Sequence, residues 1–171
     1  DRPNVDGIQA IGEAHRRFGM AGFLPTLISD DLDVTAKAIG AVDDAMSEGV
    51  PGVLGIHLEG PFLNAARRGV HDASKFTQIG KAELRLLSSL KHGKTLVTLA
   101  PEMTTPETIS SLRERGVIVA AGHTQANYEQ TLRALDAGLR GFTHLFNAMT
   151  PMASRAPGII AAALQDERAW C

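Results

Sequence analysis

Cysteine is almost missing from this sequence. The single Cys171 excludes an internal disulfide and suits a reducing compartment. Long apolar runs are missing too: none approaches the roughly 18 residues a membrane span needs, and the first residues lack the basic-then-apolar layout of a signal peptide. Nor is there an excess of either charge. Seventeen Lys and Arg against nineteen Asp and Glu leave a net charge of −2, with no electrostatic footprint for nucleic acid or an anionic membrane. No Gly-x-Gly-x-x-Gly or phosphate-loop motif follows the first expected strand, which weakens a nucleotide-binding open sheet. What remains is 171 residues, 44% hydrophobic and 21% charged, enough for one sizeable core. The expected address is the cytoplasm. The sequence opens at Asp1 rather than Met and stops at Ala169-Trp170-Cys171, where an apolar run has just begun, so part of a longer protein is expected.

The most informative stretch is Gly52-Val-Leu-Gly-Ile-His57-Leu-Glu59-Gly-Pro61-Phe. An apolar run bounded by Gly and Pro reads as a buried strand. Glu almost never ends such a strand unless it is paired, protonated or coordinating a metal. His57 and Glu59 are two apart and therefore share a strand face. For one isolated His-x-Glu the plainer interpretation, a buried ion pair, is preferred.

The rest of the chain alternates. Val5 to Phe18 has helical spacing, Gly19 to Thr26 reads as a first buried strand, and Asp30-Asp31 cap a helix running to about Glu48. After the His57/Glu59 strand comes a polar loop, Leu63 to Gln78, of a length that tends to be functional. Lys81 to Leu90 is a helix, Thr95 to Ala100 a third strand, and Pro106 opens a helix ending at Arg115-Gly116. Val117 to Gly122 is a fourth strand and Ala126 to Ala137 the next helix. Leu139 to Thr143 leads into a fifth strand ending at His144 and Asn147, followed by a loop and a short helix, Ile159 to Leu164. His15 and His92 read as solvated. Five strands apolar on both faces, alternating with helices, predict an α/β protein with a parallel sheet. An open doubly wound sheet and an incomplete (β/α)8 barrel of the TIM type both fit. The barrel fits better, because chemistry-bearing residues stand at the strand ends: Thr26, Glu59, Glu102, His123 and His144.

Glu59, His123 and His144 come from three separate strand ends that a barrel brings to one rim. Two imidazoles and one carboxylate make a three-ligand catalytic zinc set with a position left for water. Each His alone reads as a hydrogen-bonded core residue; the three together favour a metal. His57, one pleat below Glu59, is expected to hydrogen-bond in the interior and not to be a ligand.

At these residues the sequence resembles a known family. His-Leu-Glu-Gly-Pro-Phe-Leu-Asn, the following Arg-Gly-Val-His71, Ala-Gly-His123-Thr and Thr-His144-Leu-Phe-Asn-Ala-Met are similar to the N-acetylglucosamine-6-phosphate deacetylases of the amidohydrolase superfamily. The resemblance runs over nearly the whole chain in the family's order. It implies a (β/α)8 barrel of the metal-dependent hydrolase type, of which residues 1–171 form the central part. The flanking strands and the family's small β-sandwich domain are not in this sequence. It implies that Glu59, His123 and His144 hold a divalent metal, most simply zinc, with iron or manganese as alternatives. It gives substrate contacts to Val70, His71, Asn147 and Ala148, and the sugar phosphate to Arg155. An arginine fork suits phosphate, and a carboxamide offers donor and acceptor to hydroxyls. Without the resemblance, Arg155 reads as a solvated loop residue. Two departures stand out: Ala156 follows Arg155 where the family usually has an acid, and the family's general acid/base aspartate lies on a later strand, beyond Cys171.

The implied activity is hydrolysis of N-acetylglucosamine 6-phosphate to glucosamine 6-phosphate and acetate by a homodimer, with no nucleic-acid or membrane partner. One alternative is another amidohydrolase, acting on a cyclic amide or deaminating a base. The other, of a different class, is a non-catalytic fragment that binds metal or sugar phosphate. Glu102 is the other strand-end acid that could carry a proton.

Overall fold

In the computed structural model, which describes residues 3–171, the strands are β1 (Thr26–Ile28), β2 (Gly55–Glu59), β3 (Lys94–Leu99), β4 (Ile118–Ala121) and β5 (Gly141–Phe142). They form one parallel sheet whose spatial order is the chain order, β1-β2-β3-β4-β5. The helices are α1 (Val5–Arg16), α2 (Leu32–Ser47), α3 (Lys81–Leu87), α4 (Pro106–Glu114), α5 (Tyr128–Ala137) and α6 (Gly158–Gln165). An order that never reverses is the winding of a barrel; a doubly wound sheet reverses at a switch point. The sheet is not closed: β1 is one edge, and on its outer side β5 meets, among the described residues, only Trp170, through a single parallel bridge at Gly141. Among the described residues no helix is long and apolar enough to cross a membrane.

The helix ends follow local chemistry. Thr105 caps α4 with Pro106 at its first position, and Asn127 with Gln130 forms a capping box at α5. Asp31 stands at the N-cap of α2 but caps nothing with its side chain, which is paired with Lys75 instead.

The two faces of the sheet differ. Ile56, Leu58, Val97, Leu99, Val119, Ala121 and Phe142 are buried in one cluster with Ala38, Val42, Ile109, Leu112 and Leu135 of the helices. The opposite register positions hold Thr26, His57, Glu59 and Thr98. The expectation of strands apolar on both faces is therefore corrected: one face carries imidazole, carboxylate and hydroxyl groups.

Two strand boundaries also move. Sequence pattern puts the first strand over residues 19–26, but it is Thr26–Ile28, so Thr26 begins β1 and Ser29 follows its end. The cause is a bulge. Phe23 pairs with Val53 but Thr26 with His57, which leaves one extra residue on the second chain segment near Leu54-Gly55. The fifth strand stops at Phe142 because His144 (φ 40°), Phe146 (φ 76°) and Ala148 (φ 49°) adopt left-handed backbone, which no strand continues through. The loop after β2 contains two single 3-10 turns, Ala65–Arg67 and Ala73–Lys75.

Gly55 is irreplaceable at the bulge. Its φ is 146°, and a Cβ there would collide with the backbone of Lys94 on β3. Gly55→Ala is expected to destabilise the fold by roughly 3 kcal/mol or more, read from urea or thermal unfolding. A loss under about 1 kcal/mol would mean that the bulge can relax.

Candidate metal centre

The C-terminal ends of β2, β4 and β5 bring three ligand-type side chains together. His123 Nε2 lies 3.2 Å from Glu59 Oε1, His144 Nε2 lies 3.1 Å from the same oxygen, and the two Nε2 atoms are 3.0 Å apart. Glu59 and His123 are nearly enclosed, and His144 is partly open to solvent. Local backbone aims the rings. Both histidines have left-handed backbone, φ 49° at His123 and φ 40° at His144, a conformation that costs about 1–2 kcal/mol per residue. Gly122 lets the chain turn there, since a Cβ on it would strike the Thr98 side chain at 2.7 Å.

Hydrogen bonds fix which ring nitrogen faces the centre. His123 Nδ1 is 2.7 Å from the Arg67 carbonyl oxygen, and His144 Nδ1 is 3.1 Å from that of Asn147. A carbonyl only accepts, so each Nδ1 carries the proton, and in the neutral rings both Nε2 lone pairs point inward. Three acceptors then converge without a donor between them. Unless protons intervene, that donor set needs a cation. Its spacing is close to the separation of about 3.3 Å expected between tetrahedral ligands of a zinc ion bonded at about 2.0–2.1 Å. Where a proton rather than a cation fills this space, His123 is protonated on both nitrogens, and its hydrogen bond, opposed by burial and helped by the surrounding imidazoles, holds the Glu59 carboxyl down to about 2. For His123, burial works against the charged ring, but Glu59 and the Arg67 carbonyl together raise its pKa.

His71 is buried beside this cluster, its ring centroid 4.4 Å from that of His123. Its Nδ1 takes hydrogen bonds from the Ser29 hydroxyl (2.8 Å) and, longer, from the Ser29 backbone N–H (3.3 Å). A backbone N–H only donates, so Nδ1 accepts and Nε2 carries the proton. Burial first, then the neighbouring His123, lowers the pKa of His71. His57 is occupied on both sides, by Thr26 Oγ1 (3.2 Å) and Thr98 Oγ1 (2.8 Å); Thr98 also meets Thr143 Oγ1 (2.6 Å). With these threonines it forms a hydrogen-bonded belt, the interior hydrogen bonding expected of it.

The other residues that the sequence points to sit in the loops that follow β2 and β5, at varying exposure. Val70 is exposed in the loop before His71. Asn147 is exposed, and the group that enters the site is its backbone carbonyl on His144. Ala148 accepts from Thr124 N–H through its carbonyl. Arg155 (φ 60°) is at the tip of a tight turn closed by Ala153 and Ala156, exposed and without an ion pair among the described residues. Two groups at the site are not among the residues singled out from sequence, Ser29 and the Arg67 carbonyl. Ser29 follows Thr-Leu-Ile, and a correctly bounded first strand puts its hydroxyl at the rim.

Comparison with protein-family models finds no match. Known proteins do match. The chain is 42% identical to an N-acetylgalactosamine-6-phosphate deacetylase of Shewanella sp. (strain ANA-3), over 99% of this chain and 43% of that protein. It is 37% identical to an N-acetylglucosamine-6-phosphate deacetylase of Danio rerio, over 94% of this chain and 41% of that one. The crystal structure of N-acetylglucosamine-6-phosphate deacetylase from Pasteurella multocida superposes with a TM-score of 0.81 at 32% identity, covering 86% of this chain and 39% of that chain. The chain thus spans less than half the length of the relatives it matches. Over nearly all of its own length, it is homologous to the N-acetylhexosamine-6-phosphate deacetylases.

Proposed function

We propose that the whole protein is a metal-dependent hydrolase that removes the acetyl group of N-acetylglucosamine 6-phosphate, and that residues 1–171 are the central part of its single (β/α)8 barrel. The observation that carries this reading is the convergence of Glu59 Oε1, His123 Nε2 and His144 Nε2 within 3.2 Å of one another, in a chain homologous to such deacetylases. These three residues would hold a divalent cation, zinc being the simplest choice for two imidazoles and a carboxylate. Bound there, a cation supplies Lewis acidity and brings the pKa of water toward 7.

The chain's own residues do the rest. His71, held by Ser29 with its Nε2–H free, is a neutral donor suited to the acetyl oxygen as negative charge develops on it. Val70, Asn147 and Ala148 line the sugar, and the Arg155 fork takes the phosphate. In the reaction, water oxygen bonds to the carbonyl carbon, the carbon–nitrogen bond breaks, and the nitrogen leaves with a proton. That proton belongs to an aspartate that the resemblance puts outside residues 1–171. A cytoplasmic homodimer is the proposed setting.

A second reading changes only the sugar. The 42% identical relative is named for N-acetylgalactosamine 6-phosphate, the C4 epimer. Acetate release from both epimers, with and without phosphate, tests both readings. Phosphorylated N-acetylglucosamine should be the better substrate; preference for the galactosamine epimer supports the second reading, and no release from either overturns the function. In the same assay, Arg155→Ala should weaken the phosphorylated sugar by about 2 kcal/mol in kcat/KM and leave the unphosphorylated sugar nearly unchanged. Equal losses would make Arg155 structural.

A further inference from the structure

Glu102 stands after β3 at the same rim, yet it faces neither Glu59 nor either ligand ring. Its two oxygens take three donors from two neighbouring loops. Oε1 accepts from Asn64 Nδ2 (2.9 Å) and Gln125 N–H (2.6 Å), and Oε2 from Thr124 Oγ1 (2.5 Å). With both oxygens engaged, the carboxylate is poorly placed to carry protons for the reaction.

Its partners converge on one residue. Thr124, fully buried, and Gln125 directly follow His123. Asn64 donates its backbone N–H to the His123 carbonyl (3.0 Å), and its side-chain oxygen caps the 3-10 turn at Ala66 N–H (2.9 Å). That turn ends at Arg67, whose carbonyl takes the His123 Nδ1 proton. Glu102 therefore grips His123 from two directions: along the backbone through Thr124 and Gln125, and across the loop through Asn64 and Arg67. His123 needs such a grip, because left-handed backbone at a non-glycine residue persists only when its surroundings over-determine it.

We propose that Glu102 is a positioning residue that fixes His123 in the backbone conformation, ring tautomer and orientation needed to bind a cation together with Glu59 and His144. The inference rests on these three residues being a metal site.

The test uses the apo form of the full-length protein and measures Zn²⁺ and Co²⁺ affinity by chelator competition, with the apo Tm recorded for every variant. Glu102→Ala should lower the affinity on the order of tenfold or more, the range seen when a supporting partner of a metal ligand is removed. Glu102→Gln keeps an oxygen for Asn64 and Gln125 and can donate to Thr124 Oγ1, so it should lose less than about threefold. Asn64→Ala cuts only the loop route and should fall between them, which keeps the test alive if Glu102→Ala does not fold. Unchanged affinity in Glu102→Ala, whatever its Tm, overturns the inference. So does a Gln variant as damaged as the Ala variant, because charge rather than hydrogen bonding would then be at work. Glu59→Gln is measured alongside: if it too binds both cations normally, the metal site itself has failed, whereas a normal Glu102→Ala beside a defective Glu59→Gln sinks only the positioning role.

Discussion

Glu59→Gln is expected to lower the affinity of the apoprotein for Zn²⁺ by well over 100-fold and to abolish metal-dependent turnover of the full-length protein. The substitution keeps the shape of the side chain, so packing changes little. What it removes is the only negative charge among three converging ligand atoms, since His123 and His144 are held by the Arg67 and Asn147 carbonyls with Nδ1 protonated and contribute only lone pairs. The amide adds a further penalty. Glu59 Oε1 is about equally close to both Nε2 atoms, at 3.2 and 3.1 Å, so an amide NH₂ turned inward would donate into the space a cation needs. Loss of a group that merely supports a ligand costs about 10–100-fold, and loss of a charged ligand should exceed that. Chelator competition on the apoprotein measures the effect without any substrate. A decrease of only a few-fold would show that Glu59 is a hydrogen-bonding partner of two histidines and not a ligand.

The parts of this fold that are legible in the sequence are those with local punctuation. Thr105-Pro106, Asn127 with Gln130, and Gly138 bound α4 and α5 within two residues of where periodicity puts them, because capping is decided by neighbouring backbone. Features that depend on another strand are not legible. The bulge that moves β1 to Thr26–Ile28 arises from the offset between Phe23↔Val53 and Thr26↔His57, a relation no single segment contains. The short fifth strand escapes for a different reason: Thr-His-Leu-Phe has good strand propensity, but His144 and Phe146 take left-handed backbone imposed by the turn. The trio of ligand-type residues is legible as a pattern because each residue ends an apolar run. The groups that orient it are not. Arg67 and Asn147 act through backbone carbonyls, whose partners side-chain identity does not reveal.

The 171-residue chain by itself is expected to give no deacetylase turnover, even with zinc, iron or manganese supplied. Amide hydrolysis needs a proton on the departing nitrogen as well as an activated water. Strand tips bring two carboxylates to the rim, and neither is free to deliver it. Glu59 faces two imidazoles, and Glu102 accepts three hydrogen bonds. His71 has its Nδ1 engaged by Ser29, and its lowered pKa favours the neutral ring, which suits a hydrogen-bond donor better than an acid. The open sheet adds a second obstacle. β1 is an edge strand with Ile28 46% exposed, and Phe18 is 89% exposed, so apolar surface and unpaired backbone are left in water. A dry, shaped site is hard to maintain under those conditions, and association between copies is favoured. Expressing residues 1–171 and the full-length protein side by side, adding each metal and following acetate release from N-acetylglucosamine 6-phosphate decides the matter. Metal-dependent turnover by the soluble 171-residue chain would place the proton donor within residues 1–171 and make the assignment of Glu102 to a purely positioning role the first to be abandoned.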